Sequence, residues 1–298
     1  MKEAVLPYIE RIKSGDYLAL ARAISFVENE HRLAYPLLLS LKPDHAVPVI
    51  GITGPPGAGK SSLVNALCEL LSSRGRKIAV VAVDPSSPFN KGSLLGDRIR
   101  MGKQFNNPHI FIRSMASRGA LGGLAEKTLQ ITDVLKTAPF DLIIIETVGV
   151  GQSEIDIVGL ADMTVVVLVP ESGDEIQHVK SGLMEIADLY VVNKADREGA
   201  DSFARKLSRM LKQKSVAIPV IKTDAVRGMG IEELLTAVLS FKRRNSLGIN
   251  LLTEHAWRLI QDRRMKDIDR EELQVRLEEA SSAADFNIYQ FVERHFSI

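Results

Sequence analysis

The feature that most constrains this chain is Gly54–Ser61, GPPGAGKS, which has the form G-x-x-x-x-G-K-[ST]. An apolar run, Val47–Thr53, enters it, and a stretch with Leu63, Leu67, Leu70 and Leu71 on one helical face leaves it. Strand, glycine loop and helix, in that order, is the context in which this motif holds the phosphates of a nucleotide. Gly57 and Gly59 let the backbone wrap around an anion. Ala58 and the helix-opening residues Lys60, Ser61 and Ser62 offer N–H groups and the positive end of the helix dipole. Lys60 is expected to reach the β- and γ-phosphates, and Ser61 to offer its hydroxyl to Mg2+.

From Val47 onward, β-rich runs alternate with helical ones. Strands are expected at Val47–Thr53, Ile78–Val83, His109–Arg113, Leu142–Glu146, Thr164–Val169, Leu189–Asn193 and Val216–Ile221. They are rich in Val and Ile without clean alternation, as in strands covered on both faces. Helices are expected at Gly122–Lys136, Asp174–Glu185, Ala200–Lys212 and Ile231–Phe241. The fold class is therefore α/β, a mostly parallel sheet flanked by helices, with a right-handed crossover after the glycine loop.

Residues 1–46 read as an N-terminal helical extension. Leu20, Ala23, Ile24 and Val27 have helical spacing, and Ser14–Asp16 forms a capped break. Residues 47–245 form the nucleotide domain. Residues 246–298 read as a helical arm, without strand signal over 250–298, that packs on the main domain or on a second subunit.

A net charge of +1 argues against a broadly basic nucleic-acid surface. Cys68 is the one cysteine, cannot form an internal disulfide, and reads as helix packing. No apolar run reaches about 18 residues and no leader-like h-region is seen, so a cytoplasmic protein without a membrane span is expected.

Two further stretches carry chemistry. Asp141-Leu-Ile-Ile-Ile-Glu146-Thr-Val-Gly149 is an apolar strand ending in a carboxylate, with a glycine three residues on. Glu146 is placed to bind Mg2+ directly or through water, and the Gly149 N–H to sense the γ-phosphate; Asp141 reads as the start of the strand. Asp84, in Val83-Asp-Pro-Ser-Ser87, and Asp97, in Gly96-Asp-Arg-Ile-Arg100, also follow the loop. Each is either a metal acid or a local turn or cap residue, since Mg2+ takes few carboxylates.

Asn193-Lys194-Ala195-Asp196 follows a strand, where N-K-x-D reads a base. The Asp carboxylate accepts from N1–H and N2–H2 of guanine, and adenine lacks that donor pair. Thr223-Asp224-Ala225, after the last core strand, stands where another loop contacts the base, or is a plain turn.

Taken together, GPPGAGKSSL, AVDPSS, GDRIRM, SRGALGGL, ETVGVGQSE, GDEIQ and NKAD resemble the MeaB/ArgK-type GTPases, the methylmalonyl-CoA mutase-associated proteins of the SIMIBI branch of P-loop GTPases. The resemblance runs from GDYLALARAISFVEN to about residue 245 and is weakest over 250–298. It implies a Mg2+-dependent GTPase that acts as a chaperone for a cobalamin-dependent acyl-CoA mutase. In that role it gates adenosylcobalamin loading and protects or reactivates the mutase.

The resemblance also implies a homodimer through the C-terminal arm. It makes Gly149–Glu154 the second switch, and Asp174, Gln177 and Lys180 the switch coupled to the mutase. On residue type alone those last three are ordinary exposed helix positions. Gln152 is the polar candidate to orient the attacking water. Arg118 either approaches phosphate or holds its own loop.

Three rivals stand beside this reading. A nickel-insertion GTPase of the same branch needs Cys and His ligands, but the six histidines show no paired spacing. A kinase linked to amino-acid transport needs an acceptor pocket, for which no lid or acceptor motif is seen. A GTP-binding scaffold would not hydrolyse GTP.

Overall fold

Valine and isoleucine crowd the strands because both faces of the sheet are covered. The computed structural model describes residues 2–84, 104, 106–116, 123–147, 157, 160–173, 187–212, 218–241, 253, 256–257, 259–261, 263–265, 268–281 and 287–295. Its strands are β1 (Val49–Thr53), β2 (Ile78–Asp84), β3 (Ile110–Ala116), β4 (Leu142–Thr147), β5 (Met163–Leu168), β6 (Leu189–Val192) and β7 (Val220–Lys222). They form one sheet in the order β3-β2-β4-β1-β5-β6-β7, and every neighbouring pair is parallel. The α/β parallel sheet expected from the sequence is the fold found.

Helices α1 (Lys2–Lys13), α2 (Tyr17–Glu28) and α3 (Ala34–Leu38) precede β1. Helix α4 (Lys60–Ser73) follows the glycine loop, and α5 (Gly123–Leu135), α6 (Ala200–Leu211) and α7 (Ile231–Ser240) cover the sheet. Alternate residues of the central strands feed opposite cores. Ile50, Ile52, Leu142 and Ile144 pack with Leu63, Leu67 and Leu71 of α4 and Leu234 of α7. Val49, Ile143 and Ile145 pack with Ile12, Leu20 and Ile24 of α1 and α2 and with Ile131 and Leu135 of α5. A third cluster joins Val166, Leu168 and Tyr190 to Phe203, Leu207 and Leu211 of α6. Each fully buried Leu or Ile contributes about 1.5–3 kcal/mol, so the short helices are held by tertiary burial rather than by their own propensity. Helix α2 starts at the expected break, where Asp16 Oδ1 accepts from the N–H groups of Leu18 (2.9 Å) and Ala19 (3.0 Å).

Proline sets the strand ends that differ from expectation. β1 begins at Val49 rather than Val47 because Pro48 has no N–H to give a ladder, and the Val47 N–H turns back to the Asp44 carbonyl (3.2 Å). β7 spans Val220–Lys222 rather than Val216–Ile221, starting just after Pro219, whose carbonyl accepts from Tyr190 N (2.9 Å); residues 213–217 lie outside the described residues. β3 begins at Ile110 because the Asn107 side chain takes the His109 N–H (3.0 Å). The helix expected at 174–185 also lies outside the described residues.

The chain divides into two compact units, residues 1–244 and 245–298. The second contains α8 (Arg270–Ser281) and α9 (Ile288–His295). Asn287 caps α9 by accepting from Tyr289 N (3.0 Å) and Gln290 N (3.2 Å), and the Phe291 and His295 rings stack 4.6 Å apart. Among the described residues no helix is long and apolar enough to cross a membrane.

Candidate functional site

The strand order creates a crevice. From β1 the chain moves outward to β2 and β3, returns to β4 beside β1, and then places β5 on the opposite flank. In open parallel sheets such a reversal leaves room for a ligand at the carboxyl ends of the strands. GPPGAGKS leaves β1 at that point.

Two of its glycines are required by close approach. Gly54 has φ +140°, and a Cβ there would lie 2.1 Å from the Val167 carbonyl oxygen of β5. Gly59 has φ +86°, and a Cβ would lie 2.3 Å from Asn193 Nδ2. The first intrahelical bond of α4 runs from Leu63 N to Gly59 O (2.9 Å), so the N–H groups of Lys60, Ser61 and Ser62 precede it at the positive helix end. Ala58 is buried, and the position of a Gly57 side chain would be open space, so the loop mouth is at Gly57.

Lys60 is buried, with its ammonium donating to the carbonyls of Gly54 (2.7 Å) and Pro55 (3.0 Å). A buried cation needs such acceptors, and phosphate oxygens are stronger ones because the bond is then charge-assisted at both ends. Ser61 Oγ donates to Glu146 Oε1 at 2.7 Å. Glu146 is buried in β4, in register with Ile52 of β1 and Ala82 of β2. Beside it the Thr147 and Thr53 hydroxyls hydrogen-bond at 2.9 Å and pin β4 to β1 where the loop departs.

Asp84 ends β2, its backbone in register with Ala116. Asp97, Arg118, Gly149, Gln152, Asp174, Gln177 and Lys180 lie outside the described residues. Asp141 holds the start of β4, accepting from Arg76 Nη1 (2.8 Å) and Lys77 N (2.7 Å). Cys68 is buried in α4, and burial pushes its thiol up to about 12, which suits packing rather than chemistry.

The base-reading loops meet the phosphate loop through one amide. Asn193 is buried; its Nδ2 donates to Ala58 O (2.9 Å), and its Oδ1 accepts from Thr223 Oγ1 (3.0 Å) and Ala225 N (3.3 Å). Lys194 takes φ +55°, and Ala195 N donates to Thr223 O (2.9 Å). Asp196 is exposed at the rim.

Asp224 is buried, and its Oδ1 caps its own loop by accepting from Val226 N (3.1 Å) and Arg227 N (3.2 Å). Its backbone closes with Met229 in both directions (3.0 and 3.1 Å). The site therefore brings together Gly57–Ser62, Glu146, Asn193–Asp196 and Asp224–Ala225. Sequence reasoning missed the Thr53–Thr147 pair and the hydrogen bond that Thr223 gives Asn193, because a hydroxyl at a strand end or in a turn carries no motif.

Three comparisons bear on this geometry. Residues 20–282 match the family described as Methylmalonyl Co-A mutase-associated GTPase MeaB. A Pyrococcus horikoshii protein is 46% identical over 243 residues, covering 79% of this chain and 77% of that protein. The Escherichia coli protein named GTPase ArgK is 36% identical over 249 residues, covering 78% of this chain and 75% of its own length. Among solved structures, that of LAO/AO transport system kinase matches with a TM-score of 0.68 and 27% identity, over 99% of this chain and 94% of the other.

Proposed function

The chain belongs to the MeaB family of methylmalonyl Co-A mutase-associated GTPases, and from that premise we propose that it is a GTP-hydrolysing chaperone for a cobalamin-dependent acyl-CoA mutase. In this reading it gates adenosylcobalamin loading and protects or reactivates the mutase. The observation that carries the nucleotide half is the Asn193 amide, which ties the phosphate loop at Ala58 to the base loops at Thr223 and Ala225. The mutase half rests on the family's description.

Ser61 Oγ and Glu146 Oε1, 2.7 Å apart, are hard oxygen donors of the kind Mg2+ takes, with Asp84 and Asp97 as the further acids proposed for it. Bound Mg2+ would neutralise charge on the phosphate oxygens. The Lys60 ammonium exchanges its two carbonyl partners for β- and γ-oxygens, and the helix-end N–H groups of Lys60, Ser61 and Ser62 hold the diphosphate. Water attacks the γ-phosphorus in line, the bond to the β-phosphate oxygen breaks, and GDP and phosphate leave. Gln152 orients that water and the Gly149 N–H senses the γ-phosphate. Asp196 accepts from the guanine edge. Asp174, Gln177 and Lys180 pass the nucleotide state to the mutase.

The test is GTP against ATP hydrolysis, with and without a purified cobalamin-dependent acyl-CoA mutase. Slow GTP-selective turnover that rises with the mutase is expected. GTP turnover indifferent to the mutase would remove the partner, and phosphoryl transfer to an acceptor in place of hydrolysis would make the protein a kinase.

We further propose a homodimer through residues 246–298. Trp257, Ile260, Met265 and Tyr289 of that unit are at least half exposed, apolar surface that a subunit contact would cover. Sedimentation equilibrium should give about twice the 32.8 kDa chain mass, with truncation after Arg244 returning the monomer; a full-length monomer at micromolar concentration sinks the idea.

A further inference from the structure

We propose that Arg227 is a positioning residue for base recognition, a single cation that bridges the base-reading carboxylate of Asp196 and the buried carboxylate of Asp224. The inference rests on the guanine reading above and adds a specificity-determining residue to it. Its basis is a geometry at one nitrogen. Arg227 Nη1 lies 3.1 Å from Asp224 Oδ2 and 3.4 Å from Asp196 Oδ2.

The two acids differ in setting. The Asp224 side chain is 5% exposed and fixed by two backbone donors, whereas that of Asp196 is 40% exposed at the rim. Arg227 sits on a loop that the Asp224–Met229 pair closes on both sides, so its backbone is set before any ligand arrives. The guanidinium is anchored at its buried acid and reaches outward to the exposed one.

Charge explains why a bridge is needed. A base-reading carboxylate works only if it is ionised and aimed, with one oxygen for each of two base donors. A second carboxylate held nearby repels it and favours swinging it outward. The neighbouring cation Arg197 adds positive potential at Asp196, but its guanidinium is hydrogen-bonded to Glu171 in an ion pair of its own and does not touch the buried acid. Arg227 neutralises the buried acid and draws Asp196 toward it. Arg227 Nη1 gives its hydrogen bond to Asp224 Oδ2 and meets Asp196 Oδ2 as an ion pair at 3.4 Å, so the lone pairs of Asp196 stay available to a base.

The experiment compares GDP with IDP, which lacks only the 2-amino group, so the Kd ratio isolates what Asp196 gains from N2–H2. In the wild-type protein the ratio should favour GDP by about tenfold or more, as for a hydrogen bond to a charged group. Arg227→Ala should cut that ratio at least fivefold. Arg227→Lys should restore most of it, because one nitrogen makes the bridge and a point charge can replace it.

A general loosening of the loop would weaken GDP and IDP alike and leave the ratio unmoved. That result overturns the inference, as does GDP binding that tightens in Arg227→Ala or a ratio lost equally in both variants. A wild-type protein with no preference for GDP over IDP or ADP is a different failure. It removes the guanine reading itself, and the bridge with it.

Discussion

Replacing Lys60 with alanine is expected to lower single-turnover GTP hydrolysis by about 10²–10³-fold, the usual cost of removing one donor to charge that develops in a transition state. The geometry says why the effect should be large. The ammonium is buried and already turned back along its own loop, onto Gly54 O and Pro55 O, so it stands in the cradle without a search for its position. Its loss also strips Gly54 O of a donor, at about 1–3 kcal/mol for a buried group left without a partner, whereas Pro55 O keeps the Ala58 N–H (3.3 Å). Stability must therefore be read beside activity. A thermal melt of the apo variant that matches wild type, with triphosphate affinity falling more than diphosphate affinity, would assign the loss to the phosphates. A variant that hydrolyses GTP within threefold of wild type would exclude Lys60 from the reaction and bring back the scaffold reading.

The second large effect is a change of base. Asp196→Asn should convert a guanine site into a xanthine site, moving the GDP-to-XDP preference by about 10⁴-fold, since a polar site rejects a ligand that leaves buried groups without partners. The carboxylate is acceptor-only and suits the two donors on the guanine edge; an amide sets its NH2 against the guanine 2-amino group but can donate to the 2-carbonyl of xanthine. Asn193 and Ala225, which do not depend on Asp196 for their contacts, should keep the loops together. Competition of XDP and GDP for a fluorescent nucleotide measures the change. If affinity for both falls equally, Asp196 is holding structure rather than reading a base.

Much of this architecture was legible because the strongest local signals coincide with the most buried positions. The strands on either side of the crevice are short Val/Ile runs buried along their length, and period and composition find those. Strand ends were less legible, because Pro48 and Pro219 stop a ladder without changing the apolar pattern around them. The base loops show the other limit. N-K-A-D could be read as a motif, but the sequence gives no sign that Asn193 spends its amide on Ala58, Thr223 and Ala225 rather than on a ligand. Arg227 was invisible for a related reason: a loop arginine, 70% exposed in the fold as well, carries no sign in the sequence that two acids stand beside it.

The central place of β1 has a consequence for how the chain is made. Its ladder partners are β4 and β5, and its side-chain tie to Thr147 spans 94 residues; the Asn193–Ala58 clasp spans 135. A ribosome releases GPPGAGKS early, yet the strand that aims it has no neighbour until β4 emerges, and the loop has no clasp until β6 follows. Long-range parallel pairing of this kind forms late and exposes apolar edges while it waits. Nucleotide therefore meets a finished cradle only after β6 and the Thr223–Ala225 loop have followed β4, when its binding can reward the completed sheet.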